Sequence, residues 1–195
     1  MVLLESALPQ ELRSLVRALV RIKTIIVVTT LPILPITFFL VVLFRYVLES
    51  DLFAYEEWLL PICFWLYFLG SALGTYDDVH INADLFGTVS DSPKFLWFRK
   101  IGITIIELTI TLFVVYWAYL MLADEIASYP HWKTTIALKI PFFVPRVGIF
   151  MGFFFMAFYS SLSLFLLWKV GPDAYAGIIK QAETDKQNLE ERATW

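Results

Sequence analysis

The sequence predicts an all-α integral membrane protein with four transmembrane helices. Hydrophobic residues make up 59% of the 195 residues and charged residues only 17%, and the mean hydropathy is +0.71. That composition is far more apolar than a soluble domain. Four stretches stay apolar over roughly 20 residues, the length that crosses a bilayer as a helix. They lack the period-two alternation of outer-membrane strands, so we expect helices and not a barrel.

Each apolar stretch gives one predicted span, and together they form a single membrane domain over residues 1–195. We place the spans at 24–46, 57–76, 98–123 and 143–169, followed by a polar tail over 171–195. Pro32 and Pro35 each remove a backbone donor from the first span and predict a bend there. Residues 1–23 carry leucines at helical spacing, which predicts an interfacial amphipathic helix. We expect the tail to be a solvated helix or a frayed end.

Basic residues predict how the spans are oriented. Most of the Lys and Arg residues lie before the first span, after the second and after the fourth. Because basic loops stay on the cytoplasmic side, both termini are predicted to be cytoplasmic. This reading treats Lys23 as a charge flanking the first span and Arg146 as a charge on the outer face.

Tryptophans near the predicted span ends agree with these boundaries. An indole at the interface keeps its ring in the apolar region and its N–H in water. The residues that fit this position are Trp58, Trp97, Trp132 and Trp168.

The polar residues offer little for catalysis, and no catalytic, cofactor-binding or metal residue is predicted. His80 and His131 fall in predicted loops on opposite faces, whereas haem ligands in a four-helix subunit project from within the helices. Cys63 is the one cysteine, so thiolate clusters and disulfides have no support. His80 and Asp84 share a helix face, but two ligands are too few for a metal site. No basic and aromatic interleaving indicates nucleic acid.

Glu107 is the one ionisable residue well inside a predicted span. A carboxylate in lipid is expensive, so such a residue is a functional suspect. Two interpretations stay open: a structural role, through a partner on another helix, or a relay for protons or ions.

Two glycine pairs have the Gly-x-x-x-Gly spacing that lets helix backbones approach closely. Gly70 and Gly74 lie on the second span, and Gly148 and Gly152 on the fourth. Both pairs predict faces built for another helix, in this chain or on a partner. The chain shows no repeat symmetry and no polar midplane, which a transporter would need, so it reads as an accessory subunit.

The stretch FRYVLESDLFAYEEWLLPICFWLYFLGSALGTYDDVHINADLF resembles the signature of the small membrane subunit of tripartite ATP-independent periplasmic (TRAP) transporters. The family pattern has an aromatic-Arg-Tyr at the end of helix one and a Glu pair opening helix two, followed at fixed spacings by Trp, Gly, His and Asp. The matching positions are Arg45, Tyr46, Glu56, Glu57, Trp65, Gly70, His80, Ile81 and Asp84. The chain departs from the pattern at Asp77 and Asp78, where the family usually has basic residues and a glycine.

The resemblance implies a non-enzymatic subunit of the bacterial inner membrane that takes part in sodium-driven uptake of an organic acid or similar solute. Its implied partners are a large permease subunit in a one-to-one complex, a periplasmic solute-binding protein and membrane lipid. The large subunit would carry solute and sodium, so this chain itself needs no cofactor.

The resemblance also suggests roles for the matched residues. Glu57 would begin helix two at the outer interface. Trp65 and Gly70 would pack against a neighbouring helix, while His80 and Asp84 would begin an interfacial connector between helices two and three. The positions that we expect to serve as structural or subunit contacts are Arg45, Glu56, Glu57, Trp65, Gly70, Gly74, His80, Asp84, Glu107, Gly148 and Gly152.

Two rival functions stay open from the residues. A membrane enzyme or redox subunit would use His80 and Asp84 and would carry a metal or haem. A free-standing membrane assembly factor would work without a fixed stoichiometric partner.

Overall fold

The computed structural model describes residues 8–78 and 92–193, and its elements are helices. The helices are α1 (Gln10–Thr30), α2 (Ile33–Val47), α3 (Tyr55–Asp77), α4 (Pro93–Ala127), α5 (Phe143–Val170) and α6 (Pro172–Ala193). Within those described ranges, the one β-type contact is an isolated bridge between Thr134 and Pro141. The predicted all-α fold class is confirmed.

In the part of the chain that the structure describes, four helical segments are long and apolar enough to cross a membrane, as predicted. They are Gln10–Val47, Tyr55–Asp77, Lys94–Ala127 and Phe143–Val170. The third is longer than the predicted 98–123 at both ends. At 1.5 Å per residue, the 35 residues of α4 extend for about 50 Å, well beyond the roughly 30 Å of a hydrocarbon core. Helix α4 must therefore tilt strongly or extend beyond the bilayer.

The prolines of the first span divide it into two helices. Helix α1 ends at Thr30 and α2 begins at Ile33, with Pro32 at the junction. The amphipathic N-terminal segment is continuous with the span, because α1 runs unbroken from Gln10. Its inward face buries Val16 and Lys23.

Helix α5 is the centre of the bundle and packs along both α3 and α4, while α1 packs on α3 and α6 on α4. Helices α3 and α5 run parallel, since Trp65 lies beside Gly148 and Phe68 beside Gly152. Helix α4 runs antiparallel to α5: Trp97, near its start, donates a hydrogen bond to the carbonyl of Leu167, near the end of α5. These directions alternate as four consecutive spans require.

Helices α1 and α6 both begin at the same end of the bundle, which we call the termini end. A buried cluster there combines Leu8 and Val16 with Leu166 and Leu167, and Tyr175 of α6 packs against it. The opposite end, with the α4–α5 loop and the start of α3, we call the loop end. The assignment of the termini end to the cytoplasm stays a prediction.

The polar tail is a helix whose first turns dock onto the bundle. Tyr175 and Ile178 of α6 pack against the buried cluster. Burial, reinforced by the charge of Asp78, raises the pKa of the Tyr175 phenol to about 12. The start of the tail is therefore part of the packed structure and is not simply solvated.

Candidate functional site

Glu57 fastens the α4–α5 loop to the start of α3. One carboxylate oxygen, Oε1, accepts a hydrogen bond from the backbone N–H of Ala137 at 2.8 Å, and Oε2 accepts one from Leu138 at 2.7 Å. The loop is also closed on itself by the bridge between Thr134 and Pro141. A carboxylate in the first turn of a helix is stabilised by the helix dipole, and hydrogen bonds from N–H groups to an ionised group are stronger than those to a neutral one. Glu57 thus sets the position of the loop.

The other acidic and basic positions of the matched pattern at this end face outward. Glu56 is exposed in the first turn of α3, and Arg45 is exposed in the last turn of α2. Their side chains are available to solvent, lipid headgroups or another subunit.

Trp65 packs inside the chain, against α5. Its indole Nε1 donates a hydrogen bond to the carbonyl oxygen of Val144 at 3.1 Å. Its ring lies over Gly148, where an added Cβ would come within 3.2 Å of the ring carbon Cδ1. The Trp65 side chain therefore joins α3 to α5 through a hydrogen bond to Val144 and through packing of its ring on Gly148.

The two glycine pairs have different surroundings. At Gly152, an added Cβ would lie 2.5 Å from the Cβ of Phe68 and 2.9 Å from its carbonyl oxygen. Gly148 and Gly152 thus allow α5 to approach the backbone of α3 closely. Gly70, by contrast, has nothing within 4 Å of an added Cβ, and Gly74 is half-buried.

The open side of Gly70 faces an apolar groove between α1, α2 and α3. The groove has a volume of about 490 Å³. Its wall is formed by Val27, Leu31, Leu34, Pro35, Leu66, Tyr67, Gly70 and Ser71. The Gly148–Gly152 pair is therefore used for helix packing within the chain, whereas Gly70 faces outward.

Glu107 has a partner on another helix, which fits the structural interpretation of this residue. Its Oε1 accepts a hydrogen bond from the hydroxyl of Ser160 on α5 at 2.9 Å. About two turns nearer the termini end, Lys100 forms an ion pair with Asp78 at the end of α3. Asp78 is one of the two positions at which the chain departs from the family pattern, and a basic residue on α4 compensates its charge.

Sequence reasoning missed a buried cation. Lys23 was expected to be an interfacial charge before the first span, but its side chain is only 3% exposed and lies inside the bundle. The ammonium donates a hydrogen bond to the hydroxyl of Tyr159 and lies 4.1 Å from the ring centre of Phe155 and 4.0 Å from that of Tyr159. Cation–π contact and the phenol oxygen replace part of its lost hydration. The spacing of seven residues from Val16, another inward residue, is the signal that could have revealed it.

A second missed contact joins α4 to α5 at the loop end. Glu125 is 3% exposed and forms an ion pair with Arg146, which had been counted as an outer-face charge. Nothing in the sequence pairs these residues, because they meet only after the loop turns the chain back.

Two of the four tryptophans do not hold their N–H in interfacial water. Trp97 donates to the carbonyl of Leu167 at 2.8 Å, and the Nε1 of Trp132 is buried while its ring stacks on Phe143. Trp168 is 77% exposed, as an interfacial residue would be. The N–H groups of Trp97 and Trp132 are therefore held inside the packed chain and not in water, while the position of these rings at the membrane interface stays a prediction.

His80 and Asp84 lie outside the described residues. In residues 8–78 and 92–193, no group of three or more His, Cys, Asp or Glu side chains could hold a metal ion. His131, the other histidine, is exposed in the α4–α5 loop.

The four apolar helices are those of a multi-pass membrane protein. Residues 33–170, which include α2 to α5, match the family described as tripartite ATP-independent periplasmic transporters, DctQ component. The match covers more than half of the chain, so this protein belongs to that family and is a small permease component of a TRAP transporter. A search of curated proteins finds no match.

Proposed function

We propose that this subunit is a scaffold that holds and orients the large transport subunit of a sodium-driven TRAP transporter. The large subunit would move an organic acid or similar solute together with sodium, after a periplasmic binding protein delivers the solute. The complex would contain one copy of each membrane subunit in the bacterial inner membrane. In this proposal the small subunit contributes rigidity and contact surface, and its partner contributes the transport site.

The observation that carries the proposal is the open groove at Gly70. This glycine belongs to the matched family pattern, yet within the chain its face meets nothing within 4 Å. The neighbouring helix α2 makes few contacts with the rest of the bundle. It exposes large apolar side chains, among them Ile36, Phe38, Phe39, Val42 and Val47. A groove with a glycine floor beside an unpacked apolar helix is suited to receiving a helix from a partner.

The rest of the bundle supports a rigid role. Helices α3 and α5 meet at backbone distance through Gly152, and Trp65 and Glu57 add hydrogen bonds between elements far apart in the chain. Contacts of this kind oppose sliding of one helix along another, because packed interfaces have discrete arrangements. A fixed support beside a moving partner needs that property.

The charge distribution supports cytoplasmic termini. The basic residues near the termini end include Arg13, Arg17, Arg21, Lys94, Arg99, Lys100 and Lys169, whereas those near the loop end are Arg45, Lys133, Lys139 and Arg146, beside exposed acidic residues such as Glu56. The excess of basic residues at the termini end supports placing that end in the cytoplasm.

The test compares substitutions at two open glycines on different faces. Gly70 and Gly102 both have nothing within 4 Å of an added Cβ. We expect Gly70→Leu to reduce both recovery of the large subunit with this chain and solute uptake, because it fills the groove. Gly102→Leu on α4 is the matched control and should leave both unchanged.

Two results would overturn this proposal. If Gly70→Leu leaves complex recovery and uptake at wild-type levels, the groove is not the contact. If uptake continues at full rate after sodium is replaced by choline, the proposed sodium coupling is wrong.

A further inference from the structure

A small polar cavity lies inside the bundle, near the termini end, where α3, α4 and α5 meet. It has a volume of about 10 Å³. Every residue of its wall is polar: Thr75 and Asp78 from α3, Lys100, Thr104 and Glu107 from α4, and Ser160 and Ser163 from α5. By contrast, the groove at Gly70 and a second groove between α4 and α5, beside Ile105 and Phe165, have almost wholly apolar linings. The polar wall therefore suits a polar guest.

The volume limits the guest to one small molecule. A cavity needs about 10–15 Å³ of this measure to hold one water molecule. The cavity is therefore at the lower limit for a single water and too small for a solute.

The hydrogen bonds of the wall define what the guest must offer. Thr75 donates its hydroxyl proton to the carbonyl of Ser71, and Thr104 donates its own to the carbonyl of Lys100. Ser160 donates to Glu107. The hydroxyls of Thr104 and Ser160 have therefore already donated their protons, so toward the cavity they are acceptors, as is the Glu107 carboxylate. A guest that binds them must donate hydrogen bonds.

Lys100 supplies the one charged donor of the wall and decides between a water and a cation. Its ammonium pairs with Asp78 and has further N–H groups to donate. A cation in the cavity would lie beside this ammonium, which offsets part of the attraction of the Asp78 and Glu107 carboxylates, and the small volume leaves no room for further ligands. A water molecule can accept from Lys100 and donate two hydrogen bonds to acceptors of the wall, so it satisfies both kinds of neighbour.

We propose that this cavity is a binding site for one water molecule, which bridges Glu107 on α4 to the Asp78–Lys100 pair and joins α3, α4 and α5. The water gives Glu107 a hydrogen-bond donor in addition to Ser160. It also connects the carboxylate to the termini end, where the Asp78 side chain is 41% exposed. Glu107 is then a hydrated structural carboxylate and not an isolated charge in lipid.

Infrared spectroscopy on the full-length chain in lipid nanodiscs tests this site. Difference spectra between wild type and Thr104→Val, recorded in ordinary and ¹⁸O-labelled water, reveal the O–H stretch of a water that only the wild type holds. We expect one such band, shifted by the isotope and lost in Thr104→Val. The matched control is Thr109→Val, because Thr109 makes the same kind of bond, to the carbonyl of Ile105, on the exposed side of α4. That variant should keep the band.

A second variant and a second measurement keep the test decisive. Ser163→Ala also removes a wall hydroxyl and should weaken or shift the same band, in case Thr104→Val does not fold. Thermal unfolding midpoints should be equal in sodium, potassium and choline chloride at one ionic strength. The proposal would be overturned if the wild type showed no isotope-sensitive band. It would also be overturned if the band were unchanged in both Thr104→Val and Ser163→Ala. A higher midpoint in sodium alone would also overturn it, because the guest would then be a sodium ion.

Discussion

Replacing Gly152 with alanine should destabilise the isolated chain. The new Cβ would lie 2.5 Å from the Cβ of Phe68 and 2.9 Å from its carbonyl oxygen, and neither atom is the end of a flexible side chain. Helices α3 and α5 must therefore move apart along the contact that also holds Trp65 against Gly148. Overpacking of this kind costs about 1–3 kcal/mol of the free energy of unfolding. That corresponds to a roughly 5- to 150-fold fall in the folding equilibrium constant.

Gly70→Ala is the matched control for this substitution. Both variants gain the same helix propensity, up to about 1 kcal/mol, from replacing a helical glycine by alanine. At Gly70 the added Cβ meets nothing within 4 Å, so the gain is not opposed in the isolated chain. The difference between the two variants therefore isolates the cost of the clash.

The assay is equilibrium unfolding of both purified variants in the same mixed micelles, followed by far-UV circular dichroism. We expect Gly152→Ala to be about 1–3 kcal/mol less stable than Gly70→Ala. Equal stabilities for the two variants would refute the close α3–α5 contact, as would a larger loss at Gly70.

Three further predictions concern the polar contacts. Glu57→Gln should loosen the α4–α5 loop, because one amide oxygen cannot replace two carboxylate oxygens. Hydrogen exchange at the Ala137 and Leu138 amides should therefore accelerate, whereas Glu56→Gln, the exposed control, should leave it unchanged. Unchanged hydrogen exchange at these two amides would contradict the role of Glu57 in holding the loop. Tyr159→Phe should destabilise the chain by at least about 1–3 kcal/mol by removing the hydroxyl that Lys23 binds, and Lys23→Met in the same chain should restore most of the loss, measured by the same unfolding assay. Additive losses in the double variant would contradict that pairing. The raised pKa of Tyr175 means that its contribution to stability is complete below about pH 10 and is lost as the pH rises through about 12. In an ultraviolet titration, Tyr175→Phe should lack a tyrosinate component that the wild type shows near pH 12. If the component that the variant lacks is instead near pH 10, α6 does not dock on the bundle.

Hydropathy was sufficient to predict the number of spans, because each must satisfy its own backbone over a fixed length of lipid. The break at Pro32 was also predictable, since proline removes a hydrogen bond wherever it lies in a helix. The residues that join the helices were harder to foresee. The same glycine spacing occurs on α3 and α5, but which pair meets a backbone depends on how the helices cross.

The polar contacts show where sequence reasoning ends. A lysine near a span is usually a flanking charge at the interface. Lys23 is an exception because it lies on the inward face of α1, which is buried in the bundle. The partners of Glu57 are backbone N–H groups, which no residue type encodes. Glu125 and Arg146 meet only because the α4–α5 loop brings them together.

The most direct test of the scaffold role is native mass spectrometry of this chain, tagged and purified in mild detergent from a membrane that also makes the other transporter components. We expect one dominant species, a one-to-one complex of this chain with a large polytopic permease. Recovery of the chain alone, or with a coloured cofactor and no permease, would contradict it.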